Sequence, residues 1–72
     1  RRRGLEGRLL LRVFVSSEGK TKSIKIIETS GHLLLDRAAR QAVKLWKFEP
    51  ARRLGVPVSG FVNVPVIFKL RN

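Results

Sequence analysis

"KSIKIIETSGHLLLDRAARQAVKLWKFEP", residues 22–50, changes its hydrophobic period in the middle. Before Thr29 the apolar residues alternate. Ile24 and Ile26 fall on one face, with Lys25 and Ile27 on the other, which is the pattern of a strand. After "TSGH" (29–32) the apolar positions recur at three- and four-residue steps. Leu35, Ala38, Ala39, Ala42, Leu45 and Trp46 make one stripe, that of an amphipathic helix. Arg37, Arg40, Lys44 and Lys47 lie off it and are most simply a solvated face. Asp36 in the first turn and the cations in the last suit the helix dipole. Pro50 disfavours the helical conformation at Glu49, so the helix is expected to stop by Phe48. On this reading Trp46 closes the stripe and plugs the end of the core. Phe48 continues the packing, and Pro50 turns the chain toward the next strand.

Toward the N-terminus, "GRLLLRVFV" (7–15) alternates again, with Leu9, Leu11, Val13 and Val15 on one face and Arg8, Leu10, Arg12 and Phe14 on the other. The connection "SSEGK" (16–20) is short and polar, with Gly19 free to take positive φ, so the first two strands form an antiparallel hairpin. Toward the C-terminus, "ARRLGVPVSG" (51–60) reads as a loop and "FVNVPVIFKL" (61–70) as the last strand. In that strand Val62, Val64, Val66, Phe68 and Leu70 form one row. Phe61, Asn63, Pro65, Ile67 and Lys69 form the other.

The predicted class is therefore α+β, in the order β-β-α-β. Strands two and three are joined through the helix and run parallel to one another. Strand one between them is antiparallel to both. The sheet order is then 2-1-3, with the helix on one face. Pro65 supports that order, because a residue without an N–H belongs on an edge strand with its nitrogen turned outward. Residues 62, 64, 66 and 68 then bond to strand one. Residues 61, 63, 67 and 69 keep outward N–H groups, and the strand presents a long open edge.

Seventy-two residues suffice for one small domain, which buries only about 60% of the surface its unfolded chain exposes. At 43% hydrophobic and 29% charged, the composition is that of a folding chain. The absence of cysteine excludes disulfides, thiolate metal sites and a cysteine nucleophile. The chain lacks methionine and opens with Arg1-Arg2-Arg3, so it is expected to be a fragment of a longer protein. The net charge of +11 attracts nucleic acid, anionic membranes and acidic proteins alike.

Catalytic patterns are missing. His32 is the sole histidine and precedes the helix, where a loop or cap role is the simple reading. The acidic residues Glu6, Glu18, Glu28, Asp36 and Glu49 are scattered, and the six glycines form no phosphate-binding pattern. The chain is read as a non-enzyme with no cofactor and no metal.

"ETSGHLLLDRAARQAVKLWKFEPA" (28–51), with "EGRLLLRVFVSSEGK" (6–20) and "GVPVSGFVNVPVIFKL" (55–70), resembles the C-terminal domain of the TonB family. The matching set is Gly7, Gly19, Gly31, Leu35, Asp36, Ala39, Ala42, Trp46, Phe48, Pro50 and Pro65. The resemblance implies a periplasmic domain of an inner-membrane-anchored energy transducer in a Gram-negative bacterium. It implies partners: outer-membrane receptors for iron chelates and vitamin B12, and ExbB and ExbD through upstream parts. The receptor's TonB box is expected to add as a strand beside the last strand. Carried onto this chain, the binding residues are Ser59, Gly60, Phe61, Val62, Asn63, Val64, Pro65, Val66, Ile67 and Phe68.

Family members have a short helix before the first strand, where this chain has only Arg1 to Leu5 ahead of Glu6. That helix is expected to be absent or truncated here, and the resemblance implies a proline-rich spacer and an inner-membrane anchor upstream. The face away from the helix carries Leu10, Phe14, Ile27, Phe61 and Ile67, so a partner or a second copy is expected to cover it, with a homodimer through strand three. Two alternatives stay open: a basic nucleic-acid-binding domain, and a TonB-like paralogue serving another transport or secretion system.

Overall fold

A computed structural model describes residues 5–69. The elements run β1 (Gly7–Val15), β2 (Thr21–Glu28), α1 (Leu33–Val43), β3 (Ala51–Arg53), β4 (Val56–Val58) and β5 (Gly60–Phe68). The main sheet has the order β2-β1-β5, and β1 is antiparallel to both neighbours. The alternation and the edge proline thus led to the observed class and strand order.

The core lies between the sheet and α1. Leu9, Leu11, Val13 and Val15 of β1 are all buried, and Val64 of β5 joins them. Ile24, Ile26, Val66, Phe68 and Phe48 pack at its margin. Fully burying a Leu or Val contributes about 1.5–3 kcal/mol, so the central strand supplies most of the apolar stabilisation.

Three expectations are corrected. The first concerns α1, which ends at Val43 rather than near Phe48. Its buried line is Leu35, Ala39 and Val43, an i, i+4 row, while Ala38 and Ala42 are exposed. The second concerns Trp46. It remains 46% exposed, and Leu45 is 83% exposed, so neither plugs the core. The ring of Trp46 leans on Phe48 at 6.1 Å, and Phe48 is the aromatic that reaches the core margin. The helix stops early because the β1–β2 turn takes over its end. Thr21 Oγ1 donates to the carbonyls of Val43 (3.3 Å) and Trp46 (3.5 Å), and Phe48 N–H donates to the Gly19 carbonyl at 2.8 Å. The Thr21 hydroxyl adds to the Trp46 N–H, which already donates to the Val43 carbonyl at 3.0 Å, and the Phe48 bond ties the chain after the helix to the β1–β2 turn.

The third correction concerns residues 51–60. Instead of an irregular loop, β3 and β4 pair as a hairpin with Ala51 opposite Val58 and Arg53 opposite Val56. The turn residues Leu54 and Gly55 both have positive φ, 52° and 82°, the pattern of a type I′ hairpin turn.

At the other end of α1, His32 occupies the N-cap position but its side chain makes no cap bond. Asp36 organises the turn instead. Its carboxylate accepts bonds from Thr29 Oγ1 (2.5 Å), Ser30 Oγ (2.6 Å) and Ser30 N–H (3.0 Å). The hydroxyl of Ser30, then that of Thr29, then the Ser30 amide hold this carboxyl below the usual aspartate value, with His32 adding a smaller attraction.

Candidate partner-binding edge

Pro65 stands opposite Leu10 in a β1–β5 register that runs without a shift from Gly7–Phe68 to Val15–Gly60. A proline cannot donate, so this pair belongs to the class that exchanges no hydrogen bonds. Antiparallel pairing alternates, and the parity therefore propagates along the strand. Phe61, Asn63 and Ile67, like Pro65, turn their backbone groups away from β1. Val62, Val64, Val66 and Phe68 turn theirs toward it. Among the described residues no strand neighbours the outer edge of β5, where the N–H groups of Phe61, Asn63 and Ile67 and the carbonyls of 61, 63, 65 and 67 point.

Nine of the ten expected site residues, Gly60 to Phe68, lie on this strand, and Ser59 sits just before it. Their side chains divide by face. Val64 is buried under α1, with Val62, Val66 and Phe68 in the same row. Phe61 and Ile67 stand 66% and 61% exposed on the opposite face, flanking Asn63 and Pro65. Phe61 stacks on Phe14 at 4.9 Å with a 58° tilt, and the Arg12 guanidinium lies 5.3 Å from its ring centre. The expected apolar outer face is thus present, with a cation on it. Lys69 follows the strand, and Leu70 lies outside the described residues.

A cleft of about 210 Å³ opens at the start of β5, lined by Val15, Phe48, Glu49, Ala51, Gly60, Phe61 and Val62. Sequence reasoning missed Val15, Phe48, Glu49 and Ala51 as neighbours of the edge. Their contribution depends on how the chain after α1 folds back past the hairpin turn, which carries no local motif.

The sheet has a second edge, β2, and the same parity shows how it differs. Val13 bonds toward β5, so Val13 and Ile24 exchange no hydrogen bonds and the Ile24 carbonyl points outward. That carbonyl is occupied, because Arg40 Nη2 donates to it at 3.1 Å from α1. The β1–β2 register also shifts twice, between Leu10 and Leu11 and between Phe14 and Val15. Bulges and a covering side chain blunt an edge against pairing. Among the described residues the β5 strand keeps a register with no shift and no side-chain hydrogen bond covers its outer edge.

Residues 1–70 match the family described as Gram-negative bacterial TonB protein C-terminal. The chain belongs to the TonB C-terminal family. It is 48% identical over 69 residues to Protein tonB2 of Pseudomonas aeruginosa, covering 96% of this chain and 26% of that protein. It is 36% identical over 70 residues to Protein TonB of Vibrio cholerae, covering 97% and 29%. It is also 36% identical over 69 residues to Protein TonB of Xanthomonas campestris, covering 96% and 31%. The chain therefore spans between a quarter and a third of the length of these relatives. Among the described residues no helix is long and apolar enough to cross a membrane.

Proposed function

We propose that the chain is a single periplasmic domain of a TonB-type energy transducer, and that it captures outer-membrane receptors by adding an extended receptor segment to β5. It is a binding and force-transmitting module rather than an enzyme. The anchor and the parts that meet ExbB and ExbD belong to other regions of the longer protein. The observation that carries the reading is the contrast between the two sheet edges: β2 is bulged and capped by Arg40, while β5 is regular and, among the described residues, has no strand on its outer side. Backbone pairing along β5 supplies affinity, and Phe61, Asn63 and Ile67 lie nearest the side chains of an added strand.

The test is an NMR titration with a peptide carrying a receptor TonB box. Amide shifts are expected on Gly60–Phe68, and Asn63→Pro is expected to weaken binding more than folding. Position 63 faces Arg12 in a pair without hydrogen bonds, so proline there removes an outward rung and spares the ladder to β1. Shifts confined to α1 or to Arg52 and Arg53 would overturn the reading. Without a receptor segment, the same edge pairs with a second copy in a concentration-dependent dimer. Light scattering that reports a monomer up to millimolar concentration would exclude that dimer.

A further inference from the structure

Leu54 is the sole non-glycine with positive φ among the described residues, and its side chain is 99% exposed. Both facts run against local chemistry. A type I′ turn favours Asn, Asp or Gly at that position, because a larger side chain crowds the left-handed backbone. A leucine in water also forgoes the burial that normally justifies it. Backbone strain of this kind clusters at functional sites, ligand clamps and switch regions. The neighbours extend the feature. Val56 is exposed across the turn, and every residue from Ala51 to Pro57 is exposed, so the hairpin shows both faces to solvent. Arg52 and Arg53 precede the tip, and Arg52 Nη1 donates to the Gly55 carbonyl at 3.1 Å, which holds its charge at the turn. No acidic residue occurs after Glu49.

We propose that the β3–β4 hairpin is a membrane-touching element, with Leu54 seated among the acyl chains of an anionic lipid surface and Arg52 and Arg53 at its phosphates. The shape decides between lipid and protein. A tip of one leucine and one valine falls far short of the roughly 800 Å² that each partner contributes to a stable protein interface. A fluid interface accepts a narrow apolar tip without a shaped pocket, and basic residues beside the tip add attraction to anionic headgroups. Binding of this kind is weak and reversible. It brings the hairpin, and β5 directly after it, to a membrane surface. The inference rests on the hairpin alone and stands apart from strand addition at β5.

The experiment uses vesicles of phosphatidylglycerol and phosphatidylethanolamine, with phosphatidylcholine vesicles as the neutral surface, at about 0.15 M salt. Because the chain lacks cysteine, Leu54→Cys accepts a single environment-sensitive fluorophore. Leu45→Cys, at an 83% exposed position past the helix end, is the control. The label at 54 is expected to shift to the blue on the anionic vesicles and the label at 45 to remain unchanged. Unlabelled Leu54→Asn suits the turn better than leucine and therefore keeps the hairpin; its partition onto anionic vesicles is expected to fall roughly tenfold. Changing Arg52 and Arg53 to Gln is expected to weaken partition about fivefold each. The proposal is overturned by an unshifted label at 54, by equal shifts at 54 and 45, by unchanged partition of Leu54→Asn, or by equal binding to neutral vesicles.

Discussion

Gly19, Gly31 and Gly55 have nearly the same backbone, with φ of 82°, 88° and 82°, but different surroundings. A Cβ at Gly31 or Gly55 would meet nothing within 4 Å. A Cβ at Gly19 would collide with the Phe48 carbonyl oxygen. The three positions therefore separate the conformational cost of losing glycine from the packing cost. For Gly55→Ala, the left-handed penalty of about 1–2 kcal/mol is partly offset by about 0.4–1 kcal/mol from a stiffer unfolded chain. A net loss of about 1 kcal/mol is expected. Gly19→Ala carries the same term and must also displace the 46–48 segment from the β1–β2 turn. That displacement breaks the bond from Phe48 N–H to the Gly19 carbonyl, about 1 kcal/mol. It also withdraws part of a half-buried phenylalanine from the core margin, about 1–2 kcal/mol against the ~3–5 of full truncation. The total is about 3–4 kcal/mol. A domain of this size has roughly 4–11 kcal/mol at ~0.05–0.15 per residue.

Urea and thermal unfolding followed by circular dichroism measure the difference. At roughly 4–8 °C per kcal/mol, Gly55→Ala is expected to melt about 5 °C below the parent. Gly19→Ala is expected to melt at least about 12 °C below it, or to be unfolded. If Gly19→Ala and Gly55→Ala melt within about 3 °C of one another, the close contact between the turn and Phe48 is not a structural constraint and the reasoning fails.

Truncating the aromatics is expected to reverse the ranking suggested by residue size: Trp46→Ala should cost about 1–2 kcal/mol, because the ring is half exposed, and Phe48→Ala about 3 kcal/mol; equal melting temperatures would contradict this. Asp36 has a lowered pKa in the folded state, so its contribution is complete above the ordinary aspartate value near 3.9 and is lost as pH falls through the lowered folded value. Asp36→Asn is therefore expected to flatten the acid limb of the stability–pH curve, and an unchanged limb between about pH 4 and pH 2 would refute the role of the Thr29–Ser30–Asp36 turn. Arg40→Ala bares the Ile24 carbonyl, and light scattering is expected to show more self-association than in the parent; identical profiles at matched concentration would show that Arg40 does not guard β2.

The three long strands were legible because each alternates over at least seven residues and only one face of each meets the helix. The sheet order was legible from Pro65, a residue that admits few places in a ladder. The end of α1 was not. Small residues satisfy a helical stripe without specifying it, so Ala38 and Ala42 drew the stripe toward Trp46, while the buried line runs through Leu35, Ala39 and Val43. The bonds that end the helix come from Thr21 and the Gly19 turn, more than twenty residues away, and no local pattern announces them. The β3–β4 hairpin was hidden for the opposite reason. Its turn lacks the Asn-Gly or Asp-Gly pair that signals a type I′ hairpin, because Leu54 stands where the asparagine would.

The proposed binding edge was half legible, and the division follows from the physics of the two halves. Parity along a strand is a counting rule, so a single proline fixes the direction of every N–H on β5 and, through β1, of the Ile24 carbonyl on β2. Whether an edge is available is not a counting rule. It depends on a side chain reaching in from another element. Arg40 belongs to the polar face of α1, where by sequence it is one solvated cation among four. In the fold it occupies the outward acceptor that parity assigns to β2. The bulges in the β1–β2 register add to the same effect by twisting the ladder out of line. An added strand needs several regularly spaced donors and acceptors in succession. β5 offers a continuous nine-residue register, interrupted on its outer side by one missing donor at Pro65, whereas β2 offers a shifted register with one acceptor already occupied. On the proposed reading the sheet therefore offers one edge for strand addition, and the cation that blunts the other edge lies on the opposite side of the sheet from the strand left open.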